Sequence, residues 1–133
     1  MHENKYVKYW FDNGILHTEL KVQTAIDMTI AKEIVTSRLE FCKHENYPVL
    51  MDYDKFKYAD KEVRVYMNTE GLKGIKAGAF LTSSLTVKTF FNFYLSVSKP
   101  PVPAKVFNEK AKALQWLAQF AEKKTAKKNM PKV

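Results

Sequence analysis

The chain has a single cysteine, Cys42, among its 133 residues. One thiol excludes an internal disulfide and suits a reducing cytoplasm, where the protein is expected to reside. Cys42 falls in a helical apolar pattern and reads as a buried thiol. No apolar run approaches the ~20 residues that a membrane-spanning helix requires. Membrane insertion is therefore not expected. The start, Met1-His2-Glu3-Asn4-Lys5, lacks the apolar stretch of a signal peptide. No nucleophile elbow, Ser/His/Asp set, Cys-x-x-Cys pair or Walker A loop is present, so no enzyme and no cofactor is expected. His2, His17 and His44 show no ligand spacing, and no metal is expected. No repeat or linker divides the chain, which is expected to form one domain over residues 1–133, with its core over about 6–120.

What is present is a globular composition, 46% hydrophobic, with a formal net charge of +8. Lys123, Lys124, Lys127, Lys128 and Lys132 face only Glu122 in the last stretch, so four of those eight charges sit there. The stretch reads as a basic helix end or tail. Such a tail attracts polyanions without specificity, and it also suits a helix C-terminus.

The chain is organised around Val49, Leu50 and Met51, bounded by Pro48 and by Asp52 and Asp54. A short apolar run with no polar alternation fits a strand covered on both faces, as in a parallel sheet. Before it, residues 5–11 favour extended structure, and Asp12-Asn13-Gly14 is a turn that tolerates positive φ. Residues 15–22 alternate as the second strand of a hairpin, with His17 on the polar-leaning side and hence at the surface. Asp27 caps a helix in which Ala31, Ile34, Val35, Leu39 and Cys42 recur at helical spacing to about Lys43.

After the central strand, residues 54–59 read as a loop. Asp60 caps a helix, and Gly71 is placed to end it in the left-handed conformation. Residues 75–81 form a strand, Thr82-Ser83-Ser84 start a helix over 85–97, and Lys99-Pro100-Pro101-Val102-Pro103 break it. A short strand over 104–107 precedes a helix capped by Asn108, with Ala111, Leu114, Trp116, Leu117, Phe120 and Ala121 on one face. The order ββαβαβαβα implies an α/β fold with a mostly parallel, mixed sheet and an N-terminal hairpin.

Four stretches invite a functional reading. At the exit of the central strand, Asp54, Tyr58, Asp60, Lys61 and Glu62 form a candidate partner-binding edge, because partners dock at the C-terminal ends of parallel strands. The bland alternative is a helix cap with solvated acids. Asp52 and Asp54 lack the further acid pair and late lysine of an Mg²⁺-binding receiver domain. Gly71-Leu72-Lys73-Gly74 joins a helix to a strand, unlike the nucleic-acid clamp of the same spacing. Pro100-Pro101-Val102-Pro103 reads as a rigid connector. The helix over 85–97 carries more apolar residues than one buried stripe needs. Phe90, Phe91 and Tyr94 are therefore candidates for self-association as a homodimer, or for covering a small ligand, a lipid or a nucleotide, against the sheet. A third reading is nonspecific nucleic-acid binding through Lys73, Lys76 and the tail.

The hairpin, the helix, the strand Val49-Leu50-Met51-Asp52 and the capped helix after Tyr58-Ala59-Asp60 resemble the STAS domain of anti-sigma-factor antagonists. The likeness spans roughly residues 6–120. Gly71-Leu72-Lys73-Gly74-Ile75-Lys76-Ala77-Gly78 and Lys99-Pro100-Pro101-Val102-Pro103 are similar to a group of small stand-alone bacterial proteins of this kind, without assigned activity. The resemblance implies a non-enzymatic regulatory module that binds an unknown protein partner. In the antagonist branch a Ser or Thr at the start of the helix is phosphorylated. Here Asp60 is followed by Lys61-Glu62-Val63. The resemblance thus implies a retained binding surface without the phosphorylation switch.

Overall fold

The computed structural model describes residues 1–121. The lysine-rich end expected to be a helix end or tail lies almost wholly outside the described residues. The main sheet has six strands in the order β1-β2-β3-β5-β7-β8. These are β1 (His2–Glu3), β2 (Val7–Asp12), β3 (Ile15–Leu20), β5 (Tyr47–Asp52), β7 (Ile75–Leu81) and β8 (Ala104–Phe107). β1, β2 and β3 are antiparallel neighbours, and β3, β5, β7 and β8 run parallel. The hairpin turn uses Asn13 and Gly14 at φ 53° and 78°, as those residue types permit.

Crossover helices explain the parallel pairs. α1 (Met28–Phe41) joins β3 to β5, α2 (Lys61–Met67) and a 3₁₀ turn (Glu70–Leu72) join β5 to β7, and α3 (Leu85–Ser98) joins β7 to β8. α4 (Lys110–Ala118) follows β8. Asp27, Asp60 and Ser84 each accept a backbone N–H in the first turn of their helix, from Ile30, Val63 and Val87 respectively.

Two cores lie on opposite faces of the sheet. On one, Val49 packs with Tyr9, Leu16 and residues of α1, α2 and α3. On the other, Leu50 packs with Ile15, Ala77, Ala79 and the α4 residues Ala113 and Leu117. Val49 and Leu50 are each 1% exposed, so the central strand is covered on both sides. Ala77 and Ala79 keep the surface of β7 low where α4 crosses it.

Four expectations change. His17 is buried rather than at the surface: its face of the hairpin is also covered, and its ring stacks on Trp10 at 5.2 Å. The segment after Asp54 is not all loop, because β6 (Phe56–Tyr58) pairs in parallel with β4 (Thr24–Ala25). Gly71 does not end α2 in the left-handed conformation. Asn68 closes that helix, Gly71 enters the 3₁₀ turn, and Gly74 takes the positive φ of 80°. Glu109, not Asn108, occupies the N-cap of α4, without a side-chain cap bond.

Candidate functional site

The edge at the exit of β5 is built from three short pieces. Asp54 lies just beyond the strand and turns toward the start of α3. Its carboxylate accepts from the Thr82 hydroxyl at 2.9 Å, the Ser83 N–H at 2.7 Å and the Ser83 hydroxyl at 3.2 Å. Burial pulls its pKa up, but the Ser83 backbone and the two hydroxyls outweigh this and bring it below the usual carboxylate value. Asp54 is therefore engaged in holding the loop before α3. Asp52, half-buried beside Glu19, has its pKa raised by burial.

Tyr58 is 52% exposed at the end of β6, with its ring 6.3 Å from that of Phe90. Asp60 caps α2 through the Val63 N–H at 3.3 Å. Lys61 and Glu62 stand exposed in the first turn and make no ion pair among the described residues. Val65 is 55% exposed, and a shallow groove bounded by Met28, Val65, Tyr66 and Thr69 runs beside Lys61 and Glu62. Tyr58, Asp60, Lys61 and Glu62 thus remain accessible around the entry to α2, and Asp54 is exposed as well, with its carboxylate engaged by Thr82 and Ser83.

The aromatic residues expected to mediate self-association are placed differently. Phe91 is 5% exposed and stacks on Phe80 at 4.2 Å and 17°. Tyr94 is buried against the same ring, and its pKa is pushed up to about 12 by burial. Phe90 is half-buried under the Arg64 guanidinium and beside Phe56. Sheet and β6 aromatics absorb this side of α3. The apolar residues that α3 leaves exposed are Leu85, Phe93 and Val97.

Beneath these aromatics lies a cavity of about 80 Å³ between the sheet and α1, α2 and α3. Its wall includes Val49, Met51, Phe80 and Phe91, together with Arg38 and Arg64. Gly78 belongs to the same wall, where a Cβ would lie 2.8 Å from Met51 Cε. Arg38 is 4% exposed, and its Nη2 donates to the carbonyls of Gly71 at 3.0 Å and Lys73 at 2.6 Å. Burial lowers its pKa. Reading the apolar stripe of α1 missed this residue. Its position, four residues after Ile34 and three after Val35, was the signal that it shares the buried face.

Among the described residues, no group of three or more His, Cys, Asp and Glu is arranged to hold a metal ion. None of the described helices is long and apolar enough to cross a membrane.

The fold and its covered central strand define the class: a STAS-like α/β domain. The chain belongs to the family described as a domain of unknown function, DUF7793, whose sequence model matches residues 9–121. Among solved structures it is similar to an uncharacterized protein of the DUF3478 family, with a SpoIIAA-like fold, from Shewanella loihica PV-4. That match has a TM-score of 0.59 at 15% identity and covers 88% of this chain and 98% of the other. It speaks to the fold alone. No curated protein matches the chain.

Proposed function

We propose that the chain is a non-enzymatic, cytoplasmic STAS-like regulatory module that docks a protein partner through the entry to α2. The observation that carries this reading is the accessible group of Tyr58, Lys61, Glu62 and Val65, apolar and charged side chains side by side at the strand-exit edge. Unpaired charges beside exposed apolar surface suit a partner of complementary charge. The first turn of α2 carries no hydroxyl, so docking does not depend on phosphorylation there. Asp60 supports the edge through its cap, and Asp54 through the loop before α3.

The test places a photo-crosslinking residue at Val65 and, separately, at Gln115 on α4, in cells of the source organism. The expected result is a protein adduct from Val65 alone, lost in Lys61→Glu plus Glu62→Lys. The same adduct from both positions, or one that survives the double charge reversal, removes the edge from consideration. Lys61 and Glu62 are chosen because their side chains hold nothing in the fold, whereas Asp60 is a cap.

The cavity beneath α3 favours a second reading, small-ligand binding between α3 and the sheet. A volume of about 80 Å³ is too small for a nucleotide or a full lipid and narrows the ligand to a small molecule. Native mass spectrometry of the protein from its own cells tests this. A bare-chain mass in every preparation counts against it.

A further inference from the structure

We propose that the cavity takes a short-chain carboxylate, with the carboxylate held by Arg38 and Tyr53 and the hydrocarbon lying against Phe80 and Phe91. This rests on the small-ligand reading and names its chemistry.

The polar complement of the cavity is one-sided. No Asp or Glu lines it, and its only charged residues are Arg38 and Arg64. Arg64 is already engaged, donating to the Ala59 carbonyl at 2.7 Å and lying over the Phe90 ring. Arg38 uses one nitrogen, Nη2, for the carbonyls of Gly71 and Lys73. Its Nε and Nη1 meet no acceptor, and no carboxylate pairs with it, among the described residues.

Tyr53 lines the same cavity and is 5% exposed. Its hydroxyl has no hydrogen-bond partner among the described residues. Burial raises its pKa, and Arg38 lies close enough to pull it partly back, so the phenol stays protonated and remains a donor. Two donors without a protein acceptor thus belong to the lining of one largely apolar cavity.

A nearly buried guanidinium without a counter-charge is costly, and a carboxylate oxygen accepts a single charge-assisted bond from its Nε or its Nη1. The phenol supplies a second donor to the same anion. The hydroxyls of Tyr9 and Thr18 in the wall already donate to the carbonyls of Ile34 and Leu50, and most of the remaining lining is apolar, which selects a hydrocarbon body over a bare inorganic anion. Size limits the chain: a dry cavity of about 150 Å³ accepts benzene, and this one is smaller.

The experiment titrates the full chain with butyrate and, separately, with butyramide, its neutral counterpart of the same shape. Methyl NMR shifts of Val49, Val63 and Leu95 report occupancy of the cavity. Butyrate is expected to bind about tenfold more tightly than butyramide, the scale of one charge-assisted hydrogen bond. Tyr53→Phe is expected to weaken butyrate several-fold and leave butyramide unchanged. Arg38→Met is expected to erase the difference between the two. Arg38 also supports the Gly71 turn, so Tyr53→Phe carries the test if Arg38→Met does not fold. Equal binding of both molecules overturns the carboxylate anchor and leaves the small-ligand reading in place. Methyl signals unmoved by either molecule overturn both.

Discussion

The ring of His17 lies 5.2 Å from that of Trp10 and 19° from parallel, and neither of its ring nitrogens has a hydrogen-bond partner. A buried imidazole in this state is held neutral. Burial, then the charge of Lys110, pushes its pKa below the ordinary value of 6.5, and Asp12 opposes them. Because folding lowers this pKa, the unfolded chain takes up the proton more readily. The contribution of neutral His17 is complete above the ordinary value and is lost as pH falls toward the folded one. Urea denaturation is expected to show stability declining as pH falls below the ordinary value of 6.5, and His17→Phe is expected to flatten that decline. An identical slope in the variant refutes the assignment.

The central strand yields a second expectation. Val49 and Leu50 belong to different cores, on opposite faces of the sheet. Leu50→Ala opens a space under α4 and is expected to cost about 2–5 kcal/mol in denaturant unfolding. Val49→Ala damages the other core. The two losses are expected to add only in part, since adjacent residues share one strand.

On α3, burial separates residues that look alike in sequence. Phe91→Ala removes the ring stacked on Phe80 and is expected to cost about 3–5 kcal/mol. Phe93 is 63% exposed, and Phe93→Ser is expected to change stability by about 0.5 kcal/mol or less. Thermal melts of both variants decide this. Comparable losses in the two would place Phe93 inside an interface.

Asp60 offers a conservative comparison. Asp60→Asn keeps an acceptor for the Val63 N–H and is expected to be nearly neutral. Asp60→Ala is expected to cost about 1 kcal/mol. Circular dichroism during urea unfolding measures both. Equal effects would mean that the cap bond contributes nothing.

Much of the architecture was legible from local pattern. The unalternated run at Val49–Met51, the turn at Asn13-Gly14, the caps Asp27 and Asp60 and a helix start within Thr82-Ser83-Ser84 follow from backbone preference and short-range periodicity. The hairpin strand was read correctly in type but not in exposure. Alternation separates two faces without saying that α4 covers the one bearing Ile15, with His17 closed in beside it. β1, β4 and β6 escaped notice because two-residue and three-residue strands carry no period. The contacts of Asp54 were not legible, because its partners Thr82 and Ser83 are distant in the chain.

The order of its helices and longer strands, the caps Asp27 and Asp60 and the doubly covered middle strand were written into this chain by local rules: dihedral preference, spacing and the need to satisfy helix-end amides. Which side chains meet across the fold was decided only by packing. Nothing local joins Arg38 to Gly71 and Lys73, or hides Phe91 while leaving Phe93 in water. Those outcomes depend on where distant segments close against the sheet, and that closure created the cavity.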